Sequence, residues 1–325
     1  MTSRRSLLIS ATTLIGLSLA APASAWSAEV PVPVVATFSI LGDMVKRIGG
    51  DRVAVTTLVG ADGDAHVYQP VPADARAVSQ ADVLVVNGLA FEGWLDRLVE
   101  ASDFDGLRVV ATDGIEPIRL DGDDDDHGED DDHAAKDDHD DEHADAHDHG
   151  AFDPHAWHDL ANAVIYVDNI TAALAKTDPA NASTYYGNRA TYVAEIQALD
   201  AEIRMRVAEL PEERRTVVTA HDAFGYFSET YGLNFVAPHG ISTESAPSAA
   251  NVAALIRQIR EEGIKAVFVE TFSDQRLLEQ IAEETGASIG GELYSGALSG
   301  PDGPASTYLD MIRHNTETLT QALSH

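Results

Sequence analysis

The sequence contains no cysteine. This absence excludes disulfide bonds, and it excludes thiolates as metal ligands. It also removes the thiol on which an exported bacterial protein would carry a lipid, so we expect no membrane anchor. Any metal site in this chain must therefore be built from histidine and carboxylate side chains.

Basic residues are scarce: the chain has 21 Lys and Arg against 54 Asp and Glu, which gives a formal net charge of -33. A charge of this sign repels the phosphates of nucleic acids and the headgroups of anionic lipids. We therefore expect neither nucleic acid nor a lipid surface as a partner.

No apolar run is long enough to span a bilayer. The most apolar stretch, Leu7–Ala20, follows Arg4 and Arg5 and precedes the small residues Ala21–Ala25. This order is typical of a secretory signal peptide. We expect removal of residues 1–25 and a mature, monomeric protein in the periplasm. Ser3–Leu8 also resembles a twin-arginine signal, and both export routes stay open.

What the sequence does have is an acidic run, Asp121–Gly150, with sixteen acidic residues. It lacks large apolar side chains, so we expect it to stay disordered. Such runs are usually solvated spacers, but here a histidine recurs every two to six positions. Carboxylate and imidazole groups suit zinc, and we favour a zinc-collecting loop. Its candidate zinc contacts are His127, His133, His139, His143, His147 and His149.

The remaining sequence alternates Val- and Leu-rich strands with amphipathic helices, which indicates parallel sheets flanked by helices. We predict an α/β fold of two lobes joined by one long helix. The N-terminal lobe covers residues 26–178, the linking helix 179–210 and the C-terminal lobe 211–325. Within them, helices are expected at Phe91–Val99 and Pro304–Leu323. Ligands bind such folds at the carboxyl ends of the strands.

Three histidines lie just past a strand or in a loop facing such a crevice. His66 lies in an H-x-Y-Q-P string, His155 in D-P-H-x-W, and His221 in H-D-A-F-G-Y-F. They are 89 and 66 residues apart. Because this spacing is not that of a local metal motif, it does not by itself define a site.

The three strings, in this order and with a histidine-rich insertion before the second, resemble the cluster A-I metal-binding solute-binding proteins of bacterial ABC importers. The resemblance covers essentially the whole mature chain. It implies two lobes on a rigid helix, with a metal held between them by His66, His155 and His221. Histidine at the third position is typical of zinc binders, and glutamate of manganese binders. The resemblance also implies a membrane permease with its cytoplasmic ATPase as partners, and a binding protein rather than an enzyme.

One position departs from the family pattern. Many relatives have an aspartate, the fourth ligand, where this chain has Gly296. Water, Glu270, Asp302 or a histidine of the acidic run could take that place, and the sequence leaves these alternatives open.

Three further residues near the motifs are minor candidates. We expect His158 at the surface, at the start of a helix. The resemblance places the loop of His239 near the cleft, where contact with the site or its rim is the less favoured alternative. Asp222 would either orient the His221 imidazole or cap the following helix.

Two other functions are compatible with a three-histidine zinc site. One is a periplasmic zinc buffer or chaperone without an importer. The other is a hydrolase, since three protein ligands plus water form a catalytic zinc site. No H-E-x-x-H string is present, and we therefore favour import. A donor protein that hands zinc to the acidic run would be an additional partner.

Overall fold

Short runs of Val and Leu form the first of two parallel sheets. The computed structural model describes residues 30–120 and 151–324. The first sheet has the order β2-β1-β3-β4. Its strands are β1 (Val32–Phe38), β2 (Val53–Val59), β3 (Val83–Val86) and β4 (Leu107–Val110). Strand β3 is buried along its whole length, because helices cover both faces of such a sheet.

Three helices of the N-terminal lobe connect these parallel strands, which a tight hairpin turn cannot join. They are α1 (Ser39–Gly49), α2 (Pro72–Ser79) and α3 (Leu95–Ser102), and a fourth helix, α4 (Leu160–Thr177), follows the last strand. Pro72 at the first position of α2 is favourable, because the first turn of a helix needs no backbone donor there.

The second sheet repeats the arrangement with the order β6-β5-β7-β8. Its strands are β5 (Thr216–Val218), β6 (Asn234–Val236), β7 (Ala266–Glu270) and β8 (Ser288–Leu293). The helices of this lobe are α6 (Gly225–Tyr231), α7 (Ala249–Glu262), α8 (Gln275–Thr285) and α9 (Tyr308–Leu323). The two-lobed parallel α/β fold expected from the sequence is confirmed.

One long helix, α5 (Ala182–Ala208), has 27 residues and is therefore about 40 Å long. A 3₁₀ turn, Pro179–Asn181, precedes it. The helix packs against α1, α4 and α9, and its buried side chains belong to one hydrophobic core that includes residues of both sheets. The described residues from Pro31 onwards consequently form one compact unit.

The expected helix at Phe91–Val99 is wrong in its bounds, because the helix begins only at Leu95. The backbone before it is not helical: Leu89 and Ala90 both have positive φ angles, of 53° and 58°. The buried Glu92 carboxylate stabilises this turn by accepting the backbone N–H of Asn87 at 2.7 Å.

The last helix also begins later than the expected Pro304, at Tyr308. Thr307 is its N-cap, since the Thr307 side chain accepts the backbone N–H of Asp310. A hydroxyl that satisfies a free N–H at the first turn fixes the start of a helix.

The signal segment and the acidic run, with its six histidines, lie outside the described residues. Leu120 and Ala151, which flank the acidic run, are joined by a backbone hydrogen bond of 3.0 Å. Among the described residues, no helix combines the length and the apolarity needed to span a bilayer.

The hydroxyl of Tyr308 donates a buried 2.6 Å hydrogen bond to the carbonyl of Trp157. Tyr308→Phe leaves that carbonyl without its donor, so we expect the free energy of unfolding to fall by about 1–2 kcal/mol. Urea unfolding followed by circular dichroism measures the change. Tyr186→Phe is the control, because Tyr186 is exposed. Equal stability of the two variants would contradict this role of the Tyr308 hydroxyl.

Candidate metal centre

His66 lies in the loop that follows strand β2. Its backbone N–H donates to Asp64 Oδ1 at 2.9 Å, and the carbonyl of the preceding Ala65 accepts the Trp94 indole N–H at 2.8 Å. These two contacts hold the loop so that the imidazole reaches into the cleft at the carboxyl end of the first sheet.

His155 precedes a 3₁₀ turn, Ala156–His158, that leads into α4. Asp153 Oδ1 accepts the backbone N–H of His155 at 2.9 Å and lies 2.8 Å from its Nδ1. A carboxylate bound to Nδ1 places the proton there and leaves Nε2 free as a ligand. Nε2 of His155 lies 3.1 Å from Nε2 of His66.

His221 follows strand β5 in the C-terminal lobe. Its Nδ1 lies 2.7 Å from Glu270 Oε2, an ion-pair contact, and neither buried ring nitrogen makes a hydrogen bond of regular geometry in the described part of the chain. Glu270 is held in turn by its other oxygen, which accepts the backbone N–H groups of Ala220 at 2.8 Å and His221 at 3.0 Å. The hydroxyl of Ser295 also donates to Glu270.

The fold brings these three imidazoles, which we call the histidine triad, to one point. One nitrogen of each lies within 4.8 Å of those of the other two, and this is the one such group of three among residues 30–120 and 151–324. His66, His155 and His221 are 8%, 0% and 1% exposed. The arrangement offers three buried nitrogen donors from both lobes to a single cation.

Aromatic rings surround the triad. Phe91 meets His66 edge-on with ring centroids 4.7 Å apart, and Trp157 meets His155 at 5.3 Å. Cavities flank it on two sides, one of about 370 Å³ beside His66 and one of about 440 Å³ beside His221. The first is lined by residues at both ends of the acidic run, Leu120 and Phe152.

The triad members differ in their affinity for a proton. Burial, together with the neighbouring imidazoles, lowers the pKa of His66 to about 2, and burial lowers the pKa of His155 well below 6.5. Burial also acts to lower the pKa of His221, but the Glu270 carboxylate outweighs it and raises that pKa. Although burial opposes it, the charge of His221 lowers the pKa of Glu270 to about 2. Both shifts favour a protonated His221 beside an ionised Glu270.

Gly296, at the position expected for a fourth ligand, offers no side chain. A Cβ built there would approach Phe272 no closer than 3.5 Å, which is an ordinary contact. Glu270 is not directed at the triad centre, since both its oxygens are engaged by His221 and neighbouring groups. Asp302 is exposed. Neither carboxylate belongs to the cluster of candidate ligands found in the described residues.

The three minor candidates fare differently. The expectation that His158 lies at the surface is wrong, because it is fully buried and its Nε2 lies 2.8 Å from the carbonyl of Ser295. His239 is half-buried and lines the cavity beside His221. Asp222 has neither expected role: Glu270 orients His221, and the following helix has Phe224 as its N-cap without a side-chain hydrogen bond.

The sequence did not indicate that Asp153 and Glu270 orient two members of the triad, and it offered Glu270 only as a possible fourth ligand. Asp153 had a local signal, because it lies two residues before His155 in the same string. Glu270 had none, since it follows His221 by 49 residues and meets it only through the pairing of β5 with β7.

Comparison with known proteins gives consistent matches. Residues 34–322 match the family model for ZnuA, the zinc-uptake complex component A, periplasmic. The manganese-binding lipoprotein MntA of Halalkalibacterium halodurans is 35% identical over 90% of this chain and 88% of its own. The iron-binding protein YfeA of Yersinia pestis is 34% identical over 89% of this chain and 85% of its own.

Among solved structures, the periplasmic zinc-binding protein TroA of Treponema pallidum superimposes with a TM-score of 0.79. It is 28% identical, and the match covers 90% of this chain and 99% of TroA.

Replacing the buried carboxylate in Glu270→Gln should lower the pKa of His221, because burial then acts without its main opposing charge. An NMR titration of the histidine ring signals in metal-free protein measures the shift. Glu317→Gln removes an exposed carboxylate on α9 and serves as the control. An unchanged His221 pKa in Glu270→Gln would contradict the coupling.

Proposed function

Because this chain belongs to the family of ZnuA, component A of periplasmic zinc-uptake complexes, we propose that it binds Zn²⁺ at the histidine triad and delivers the ion to a membrane permease. The permease would work with a cytoplasmic ATPase as an ABC importer. The relatives are metal-binding proteins and not enzymes, and the expectation that this chain is not an enzyme is confirmed by its family.

The observation that carries the proposal is the convergence of three buried imidazole nitrogens from two lobes. Burying polar nitrogens without partners costs free energy. A cation between the imidazoles would give the unpartnered Nε2 of His221 a partner. Two buried carboxylates behind the imidazoles, Asp153 and Glu270, hold His155 and His221 with the proton on Nδ1. Such outer contacts are typical of histidines that bind metals.

The donor set favours zinc over the metals of several relatives. MntA is a manganese-binding protein and YfeA an iron-binding protein, so family membership alone does not select the metal. Three imidazoles with no direct carboxylate suit Zn²⁺, whereas Mn²⁺ prefers more oxygen ligands. We propose that a water molecule completes the zinc coordination, since Gly296 supplies no carboxylate.

The acidic run would act as an accessory collector that raises the local concentration of Zn²⁺. The cavity beside His66 supports this role, because Leu120 and Phe152, at the two ends of the run, line that cavity. We propose that the protein works in the periplasm after removal of residues 1–25.

Metal titration of three forms tests the proposal. The intact protein should bind one Zn²⁺ tightly and prefer it to Mn²⁺ by at least about tenfold. Deleting residues 121–150 should keep that tight site and lose only weaker binding. Gly296→Asp should tighten Zn²⁺ binding by about tenfold and Mn²⁺ binding by more, because it adds an anionic oxygen ligand.

Isothermal titration calorimetry with competing chelators measures these affinities. His155→Ala should abolish the tight site, and His314→Ala is the control because His314 lies outside the triad, against the carbonyl of Glu292. Loss of tight binding on deletion of residues 121–150, with no effect of His155→Ala, would move the site to the acidic run.

The affinity for Zn²⁺ should fall with decreasing pH, because one proton, and not three, competes with the ion for the triad. His66 and His155 have lowered pKa values and stay neutral, whereas the raised pKa of His221 makes its proton compete with the metal. Below that pKa the affinity should fall roughly tenfold per pH unit. Titrations at several values from pH 7.5 to 5.5 measure the slope. Equal affinities across this range would contradict zinc binding by the triad. A pH dependence that corresponds to three competing protons would contradict the assignment of the competing proton to His221 alone.

A further inference from the structure

Residues 239–247, which we call the strap, connect β6 to α7 without forming helix or strand. The strap is closed at its base by the carbonyl of Gly240, which accepts the backbone N–H of Asp222 at 3.2 Å. Within the strap, Nδ1 of His239 lies 3.0 Å from the carbonyl of Ser245. These contacts give the strap a defined shape, although it has few of the backbone hydrogen bonds found in a helix or a strand.

The strap forms part of the wall of both cavities that flank the triad. Ile241, Ser242 and Glu244 line the cavity beside His66. His239, Thr243, Ala246 and Pro247 line the cavity beside His221. The strap therefore lies beside the triad on both sides from which the ion could approach.

One hydrogen bond joins the strap to the N-terminal lobe in the described part of the chain. The hydroxyl of Thr243 donates to Asp64 Oδ2 at 2.6 Å. The other oxygen of Asp64 accepts the backbone N–H of His66 at 2.9 Å. A hydrogen bond to an ionised carboxylate is about twice as strong as one between neutral groups. The same carboxylate thus connects the strap to the loop that carries a triad histidine.

We propose that the strap is the gate for metal exchange and that the Thr243–Asp64 hydrogen bond holds it closed. The inference rests on the proposed function, since it concerns the ion bound at the triad. Thr243 and Asp64 are not ligands in this proposal; they control how fast the ion enters and leaves.

The burial of the triad requires such an opening. With at most 8% of any triad side chain exposed, an ion cannot leave unless a neighbouring segment moves. Segments with few backbone hydrogen bonds open at the lowest free-energy cost. The strap is such a segment, and it lies beside both cavities that flank the triad. By contrast, the segment that carries His155 is fixed by Asp153 and by the Trp157 indole N–H, which donates to the carbonyl of Ser295 at 2.9 Å.

Two substitutions at one position test the gate in the full-length protein. Thr243→Val removes the hydroxyl at nearly constant volume, and Thr243→Ser keeps it. Stopped-flow measurements give the rate of Zn²⁺ release to an excess of a fluorescent chelator, and the rate of Zn²⁺ uptake by metal-free protein. Release should be about tenfold faster in Thr243→Val, the size expected for losing one hydrogen bond to a charged group. Release from Thr243→Ser should match the original protein within about twofold.

A gate predicts that uptake also becomes faster in Thr243→Val, so that the dissociation constant changes less than the release rate does. Equal release rates in the Val and Ser variants would overturn the proposal. So would a weaker affinity in Thr243→Val with an unchanged uptake rate, which would mean that Thr243 only positions His66. Failure of the original protein to bind Zn²⁺ stoichiometrically would instead overturn the proposed function. Thermal unfolding of the metal-free variants checks that each is folded.

Discussion

The structure depends on placing three buried imidazoles from two lobes around one point. Imidazole nitrogens are costly to bury without partners, and each lobe contributes a carboxylate that limits this cost. Asp153 lies against His155 in the N-terminal lobe and Glu270 against His221 in the C-terminal lobe. Both parallel sheets direct their carboxyl ends at the site, and the continuous core along α5 fixes the distance between them.

The two carboxylates differ in their pKa values, and this difference decides where negative charge lies beside the triad. Burial raises the pKa of Asp153 to about 6, whereas Glu270 is held ionised by His221 and by several donated hydrogen bonds. Negative charge therefore lies behind His221 and not at Gly296, which has no side chain. Three nitrogen donors with no carboxylate among them are the basis for proposing zinc over manganese.

The sequence predicted most of the fold because its signals are local. Continuous Val and Leu runs indicated the strands, and their alternation with amphipathic helices indicated the parallel sheets. The failures were also local. The turn at Leu89 and Ala90 adopts positive φ angles that apolar residues rarely adopt, and it depends on the buried Glu92 carboxylate. No periodicity in the sequence reports such a contact.

The sequence motifs alone identified His66, His155 and His221. The composition alone identified the acidic run and excluded thiolate ligands. Only the tertiary structure decided that the three side chains meet, that His158 is buried, and that Glu270 lies behind His221 rather than among the ligands. The reason is physical: burial and the pairing of distant groups arise from packing between elements far apart in the chain. The hydrogen bond between Thr243 and Asp64 spans 179 residues and has no counterpart in any local pattern.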